Sequence, residues 1–407
     1  MIINEATRDY ICQHENEDVR KLALQGTKGT DIDLSMALQQ IAGRQTARRK
    51  LPSWAAVEGI IYPPHLNMEQ CSSEQTARYK SSLIPTLFPS AKEGNGVFAD
   101  LTGGLGVDFY WMSQGFKKRI YVEQNEQLCA MAEHNFRLLG LESSVCCCDT
   151  ATYLTEMEAA DVIFLDPARR NEHGGRTYGI ADCTPNVLEL LPLLMEKSRC
   201  VILKLSPMLD WRKAVEDIQK PMAIGQKPLA YINEVHIVSV DNECKELLLV
   251  LNKEQHGSLH ITCINNDDRF EVLSTGEKKI STTKITEEAY LYEPNASIMK
   301  AGCFEEVEER FAVCQIAPNS HLFTSPIEIT GFPGRKFQIS AISSMNKQEL
   351  RQTLTDVERA NITVRNFPLT ADALRKKLKI KDGGDTYIFG TTLADGQHKL
   401  YICRKIG

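Results

Sequence analysis

Short apolar runs alternate with amphipathic segments from residue 97 onwards. Runs of this length, separated by segments with apolar residues three and four apart, are typical of a parallel β-sheet whose strands are joined by helical crossovers. The pattern predicts five such strands and then a hairpin, at 97–101, 119–123, 144–148, 161–165, 201–205, 235–240 and 246–251. The sequence therefore predicts an α/β protein with a doubly wound, Rossmann-like sheet.

The segments on either side of this sheet have different patterns. Residues 1–84 contain apolar positions at helical spacing and no strand pattern, so we expect an N-terminal helical region. The sheet domain is expected at 85–255. Shorter apolar runs mixed with Gly and Pro predict two small α+β units, at 256–325 and 326–407. A chain of 407 residues is long enough for several domains.

The composition is that of a globular protein, with 43% hydrophobic and 25% charged residues. No apolar run approaches the roughly 18 residues that a membrane span needs, so we expect no membrane association. The 13 cysteines are an odd number without a signal peptide, which favours reduced thiols and a cytoplasmic location. Cys146, Cys147 and Cys148 fall in what reads as a buried strand. Packing is favoured there over metal ligation, and no metal site is expected.

Charge is unevenly distributed along the chain. The net charge of −6 does not favour nucleic acid as a partner. Residues 335–381, however, hold eleven Lys and Arg against four Asp and Glu, and the rest of the chain is therefore strongly acidic. This basic segment is either a solvated face or a contact surface for RNA.

A glycine-rich turn follows the first predicted strand. Glycines here let the backbone pass close to a ligand at the carboxyl end of the strand, where open α/β sheets bind nucleotides. A dinucleotide fold would need a third glycine where Phe109 stands, and the acid Asp100 would repel a pyrophosphate. The combined motifs thus favour S-adenosylmethionine as the cofactor. We expect cofactor contacts from Asp100, Thr102, Gly103, Gly104, Gly106 and Asp108.

Acidic residues also end the second and third predicted strands. Glu123 stands about twenty residues after the glycine turn, where a carboxylate can accept hydrogen bonds from both ribose hydroxyls. Asp149 is a candidate acceptor for the adenine amino group, or alternatively the N-cap of a helix that begins near Thr150. Gln124 and Thr150 adjoin these acids and complete the expected cofactor contacts.

The fourth predicted strand ends in Asp166-Pro167-Ala168-Arg169-Arg170. Asp166 is a candidate for orienting a target amine or hydroxyl as well as for contacting the cofactor, and Pro167 stiffens the turn. Arg169 and Arg170 suit a phosphate or a base edge, although a salt bridge within the loop is an alternative. Ser206, after the fifth strand, either lines the substrate pocket or caps the next helix. We predict catalytic roles for Asp166, Pro167 and Arg169, and substrate contacts for Arg170 and Ser206.

These motifs resemble those of class I methyltransferases, especially the RNA-modifying branch. The segment 121–141 looks like the second-motif helix of RNA methyltransferases. The run Asp166-Pro167-Ala168-Arg169 is similar to the Asp-Pro-Pro-Arg of 5-methyluridine methyltransferases. Those enzymes attack the base with a cysteine just after the fifth strand, whereas this chain has Leu205-Ser206-Pro207 there. Covalent pyrimidine chemistry is therefore not expected.

Over nearly its full length the chain resembles bacterial methyltransferases with a THUMP-like C-terminal domain. The matching segments are 49–52, 73–80, 292–294 with 301–302, and the basic tail through 374–378. The resemblance implies a class I methyltransferase sheet followed by ferredoxin-like and THUMP-like units. It also implies RNA as the partner, docked by the basic tail with Arg375, Lys376 and Lys377. A protein or small-molecule acceptor, or an inactive module that retains the cofactor pocket, is the alternative. The oligomeric state has no sequence signal.

Overall fold

A computed structural model describes residues 3–27, 31–89, 95–169, 179–221, 223, 225–274 and 288–406. The chain divides into two compact units. The first comprises residues 1–233 and 248–257, and the second comprises 234–247 and 258–407.

The first unit begins with helices, as the sequence predicts. Several begin at a polar residue whose side chain accepts a backbone N–H of the first turn, which satisfies donors that the helix leaves unpaired. Asn4, Asp18, Asp33 and Ser73 serve in this way. The helices are α1 (Glu5–His14), α2 (Val19–Gln25), α3 (Leu34–Lys50), α4 (Pro52–Ala55), α5 (His65–Gln70) and α6 (Glu74–Leu87).

A parallel sheet with crossover helices follows. Its strands are β1 (Val97–Asp100), β2 (Lys118–Glu123), β3 (Ser144–Cys147), β4 (Ala160–Leu165) and β7 (Ser198–Leu205), with a short ribbon of β5 (Ala168–Arg169) and β6 (Cys183–Thr184) outside the sheet. The helices are α7 (Val107–Met112), α8 (Glu126–Leu138), α9 (Thr150–Glu156), α10 (Val187–Lys197) and α11 (Trp211–Ile218), with a 3₁₀ turn at Ile180–Asp182. The strand order β3-β2-β1-β4-β7 confirms the predicted doubly wound fold. The order reverses at β1, so a crevice forms between the carboxyl ends of β1 and β4.

The cysteine run is less buried than the sequence suggests. Among the described strands, β3 pairs with β2 alone and forms the edge of the sheet. Cys147 is exposed, and Cys146 and Cys148 are half-buried. The prediction of a buried strand is therefore wrong here, because an edge strand leaves part of its surface to solvent.

An aromatic core joins the N-terminal helices to the sheet within the first unit. The rings of Phe109 and Phe136 lie 5.1 Å apart, and both pack near Tyr121. Trp54 from α4 belongs to the same buried cluster. The Asn135 side chain connects the two parts by bonding both the N–H and the C=O of Ile61, each at 2.9 Å. The N-terminal helices are thus an integral part of this unit.

The predicted hairpin is confirmed and contributes to both units. Strands β8 (Tyr231–Val240) and β9 (Glu243–Asn252) are joined through Asp241 and Asn242, whose φ values are 52° and 60°. Two left-handed residues make the tight turn that suits the twist of hairpin strands. In the first unit the end of β9 adjoins β7. In the second unit β8 pairs with β10 (Leu259–Asn265) in parallel, and β10 pairs with β11 (Asp268–Ser274).

The rest of the second unit is a seven-stranded sheet with helices. Its strand order is β13-β14-β12-β15-β18-β17-β16. The strands are β12 (Tyr290–Pro294), β13 (Cys314–Gln315), β14 (Phe323–Ser325), β15 (Gly334–Ser344), β16 (Asn361–Arg365), β17 (Thr386–Thr392) and β18 (His398–Ile406), and the helices are α12 (Ala296–Ala301), α13 (Phe304–Phe311), α14 (Lys347–Thr353) and α15 (Ala371–Leu378). Among the described residues, no helix has the length and apolar character to cross a membrane.

Asn135→Ala is expected to lower the free energy of unfolding by about 2 to 4 kcal/mol, because two buried backbone groups of Ile61 lose their partner. Chemical denaturation followed by circular dichroism measures this change. Gln70→Ala, at an exposed position, is the control and should change stability little. A loss as small as that of the control would contradict a linking role for Asn135.

Candidate functional site

Three predicted acids stand at the carboxyl ends of adjacent strands. Asp100 ends β1, Glu123 ends β2 and Asp166 directly follows β4. Strands β2 and β4 flank β1 on either side, all in parallel. The three side chains therefore belong to one edge of the sheet, at the crevice where the strand order reverses.

The glycine turn fits tightly against the aromatic core on one side. A Cβ atom at Gly103 would lie 2.1 Å from the Tyr121 ring, and one at Gly106 would lie 2.5 Å from the Phe136 ring. Gly104 instead has a φ of +55° and no side-chain atom within 4 Å of such a Cβ. The turn thus requires glycine for packing at two positions, while its backbone at Gly104 stays open to a ligand.

Glu123 is tied to this turn. One carboxylate oxygen accepts the Gly104 N–H at 2.9 Å, and the other accepts the Asn125 N–H at 2.9 Å. A carboxylate has about four acceptor positions, so each oxygen keeps capacity for a further donor. Glu123 therefore holds the turn in place and remains able to accept a pair of hydroxyl groups.

The Thr102 hydroxyl links the ends of β1 and β4. It donates to Asp100 Oδ1 at 3.3 Å and accepts the Asp166 N–H at 2.7 Å. Asp100 is fully buried, and burial raises the pKa of its carboxyl well above its usual range, with further contributions from the charges of Asp108 and Asp166. A cation placed in this crevice would relieve that electrostatic cost.

Lys204 is a site residue that the sequence did not reveal. It lies next to the end of β7, and its ammonium group forms an ion pair with the Asp166 carboxylate. The Lys204 side chain is only 11% exposed, so salt screens its charge less than that of a surface lysine. A lysine at the end of an otherwise apolar predicted strand was the signal available.

Asp108 is held by two residues of the N-terminal region, Ser72 just before α6 and Lys80 within α6. Ser72 Oγ donates to its Oδ2 at 2.7 Å, and Lys80 Nζ lies 3.1 Å from its Oδ1. The Lys80 side chain is fully buried. The sequence placed Asp108 in the cofactor site but gave these two partners no role, because they precede the sheet by many residues.

The residues after β2 and β3 are more exposed. Asp149 is the N-cap of α9, where its carboxylate accepts the Thr152 N–H, and hydrogen bonds from Thr152 lower its pKa. The capping alternative is thus what the structure contains, and it leaves the adenine contact as a prediction. Thr150 donates to the Leu101 carbonyl at 2.7 Å and supports the start of the glycine turn. Gln124 is exposed at the end of β2.

The predicted substrate residues lie in several places. Pro167 follows Asp166, and the backbone of Arg169 forms the ribbon β5–β6, whereas Arg170 lies outside the described residues. Ser206 Oγ accepts the Met208 N–H at 3.3 Å, and the cap of α11 is Asp210, so Ser206 does not cap that helix. In the second unit Arg375 pairs with Asp382, while Lys376 and Lys377 are exposed.

The residues of the first unit fit S-adenosylmethionine. Its adenosine carries a diol that suits the acceptor capacity of Glu123, and its sulfonium and ammonium charges suit a crevice with buried acids. The open backbone at Gly104 leaves room for close approach. No group of three metal-ligating side chains occurs in the described part of the chain.

Known proteins match the chain over nearly its whole length. A solved structure from Porphyromonas gingivalis W83, assigned as a methyltransferase, is 31% identical, with all of both chains covered and a TM-score of 0.84. The chain belongs to the class I S-adenosylmethionine-dependent methyltransferases with a C-terminal THUMP-like domain. The resemblance seen in the sequence is confirmed.

Family models also match the C-terminal part of this methyltransferase. A ferredoxin-like domain model matches residues 290–333, and a THUMP domain-like model matches 334–405. An uncharacterized S-adenosylmethionine-dependent methyltransferase from Mycobacterium tuberculosis is 22% identical over 356 residues, which are 84% of this chain and 91% of that protein. The methyltransferase thus uses S-adenosylmethionine, as its motifs predict.

Glu123→Ala is expected to weaken binding of S-adenosylmethionine by roughly 1.5 to 3 kcal/mol, because at least one hydrogen bond to a charged group is lost. Isothermal titration calorimetry measures the Kd directly. Glu123→Gln keeps an acceptor for the Gly104 N–H and should lose less. An unchanged affinity in Glu123→Ala would remove Glu123 from the cofactor contacts.

Asp100→Asn is expected to stabilise the cofactor-free methyltransferase at pH 7.5 and to do so less at pH 4.5. The raised pKa means that the folded protein binds the Asp100 proton more tightly than the unfolded chain. The free energy of unfolding of the wild type therefore falls relative to that of the variant as the pH rises above the ordinary pKa of an aspartate. Thermal unfolding at both pH values tests this, and a Tm difference independent of pH would contradict it.

Proposed function

We propose that this methyltransferase methylates a nucleobase in structured RNA, such as a tRNA or rRNA. The observation that carries the proposal is a set of exposed cations within the THUMP-like segment. They form no ion pair with another described residue, and they are Lys347, Arg351, Arg359, Lys376, Lys377, Lys379 and Lys381. Unpaired cations are available to neutralise phosphates, which supply most of the affinity of sequence-independent nucleic acid binding.

We propose that the methyl group moves directly to the base, without a covalent cysteine intermediate. Ser206 stands after β7, where the 5-methyluridine enzymes that the motifs resemble have their cysteine. Cys71 is near the charges of Asp108 and Lys204, but burial raises the pKa of its thiol and so disfavours the nucleophilic thiolate. Direct transfer depends on alignment of the acceptor and exclusion of water rather than on an enzyme nucleophile.

The proposed roles within the site follow the strand ends. The cofactor contacts are assigned to the residues around the glycine turn, to those at the ends of β2 and β3, and to Asp166. Asp166, held by Lys204, is assigned to orient the acceptor group, with Pro167 fixing the turn and Arg169 contributing charge. Arg170 and Ser206 are assigned to the substrate, and Lys376 and Lys377 to docking RNA with the neighbouring Arg375.

The test is transfer of tritiated methyl from S-adenosylmethionine to deproteinised total RNA from a strain that lacks this gene. Wild-type protein is expected to label RNA, and Asp166→Ala is expected to reduce labelling at least a hundredfold while still binding the cofactor. Labelling of protein or metabolite fractions instead, with RNA unlabelled, would refute an RNA acceptor. DNA serves as a further acceptor control.

A second variant tests the docking surface. Reversing three charges in Lys376→Glu/Lys377→Glu/Lys379→Glu should weaken RNA binding at least tenfold and make it less dependent on salt. The matched control is Lys220→Glu/Lys227→Glu/Lys253→Glu, which changes the same charge at exposed lysines outside the THUMP-like segment. Equal effects of the two triple variants would show that only net charge matters. The THUMP-like segment would then have no special role.

A further inference from the structure

We infer that Lys80 and Ser72 are positioning residues of the cofactor site, which hold the Asp108 carboxylate so that it binds the methionine ammonium group of S-adenosylmethionine. This inference rests on the proposed placement of the cofactor at the strand ends, and it does not depend on the identity of the methyl acceptor. It assigns a function to the N-terminal helical region, which supplies both residues.

The ion pair between Lys80 and Asp108 is almost completely buried, and this burial needs an explanation. The Lys80 side chain is fully buried in α6, and its ammonium group lies 3.1 Å from Asp108 Oδ1 and 3.2 Å from Ser72 Oγ. Asp108 itself is 10% exposed. Removing two charges from water is costly, and a well-packed apolar pair often gives a more stable protein. A pair retained at this position is therefore better explained by the charge that it provides than by stability.

One oxygen of Asp108 has unused capacity. Ser72 donates to Oδ2, whereas the contact given for Oδ1 within the described part of the chain is the ion pair with the Lys80 ammonium at 3.1 Å. Buried carboxylate oxygens are nearly always hydrogen-bonded in folded proteins. Because a carboxylate oxygen has about two acceptor positions, Oδ1 keeps capacity for a further donor, which fits a donor that arrives with the ligand.

The order of the strands identifies that donor. Acids stand at or just after the ends of β3, β2, β1 and β4, in that spatial order. They are Asp149, Glu123, Asp100 and Asp166. The cofactor is itself linear, with adenine, ribose, sulfonium and amino acid in sequence. If the ribose lies at Glu123, the amino-acid end lies beyond β2, towards β1. Asp108 stands in the first turn of α7, directly after the glycine turn that leaves β1.

Lys80 also balances the charge of the crevice. Asp108 and Asp166 both contribute to the raised pKa of Asp100, so the three acids interact. Lys80 and Lys204 offset two of the three negative charges. Asp100 has no cationic partner among the described residues, so a bound sulfonium cation would favour its ionised form.

The experiment compares two ligands that differ at the methionine end. S-adenosylhomocysteine carries the amino acid, whereas 5′-methylthioadenosine lacks it. Calorimetry on the full-length protein is expected to show that Lys80→Met raises the Kd for S-adenosylhomocysteine at least tenfold and changes that for 5′-methylthioadenosine less than twofold. Lys118→Met, at an exposed lysine paired with Glu158, is the matched control and should change neither Kd.

Other outcomes overturn the inference. Equal weakening of both ligands would mean that Lys80 only supports the fold, and unchanged binding of both would remove it from the site. If Lys80→Met does not fold, the double variant Lys80→Met/Asp108→Asn removes both buried charges together. That protein must still lose affinity selectively for S-adenosylhomocysteine, and wild-type affinity in it would refute the inference. No acceptor is present, so failure here is distinct from failure of the RNA proposal.

Discussion

The reversal of strand order at β1 is the constraint on which the site depends. Because β2 and β4 lie on opposite sides of β1, the chain must leave β1 in a turn that does not cover the crevice between them. Glycines permit that turn to press against the rings of Tyr121 and Phe136. The backbone of the glycine turn therefore contacts the aromatic core on one side and forms the ligand-binding edge on the other. A substitution that moves this backbone affects both.

The meeting of the strand ends at one edge of the sheet also brings like charges together. Acids at the ends of neighbouring parallel strands are unavoidable neighbours, and burial makes their repulsion stronger than it would be in water. Two lysines from outside the glycine motif offset this repulsion. One lies in α6 and the other lies next to the end of β7. Electrostatics at the crevice is thus shared between the helical region and the sheet, which explains why the first unit includes both.

The sequence predicted the central strands within a few residues, because strands covered on both faces are apolar throughout. The glycine turn and the acids after it were also visible, since their chemistry depends on local order. The partners Lys80 and Lys204 were not, because their contacts join residues far apart in the chain. The exposure of Cys147 was missed for a related reason. Whether a strand is central or at the edge is decided by the strand order, not by its own residues.

The two C-terminal family models cover segments that share one hydrogen-bonded ladder. Strand β12, from the ferredoxin-like segment, lies between β14 and the eleven-residue strand β15 of the THUMP-like segment. Separating the segments would leave the backbone groups of residues 334–338 unpaired on that side of β15, and an exposed strand edge is a known template for aggregation. The fold of the THUMP-like segment therefore depends on a strand that lies outside the matched family model.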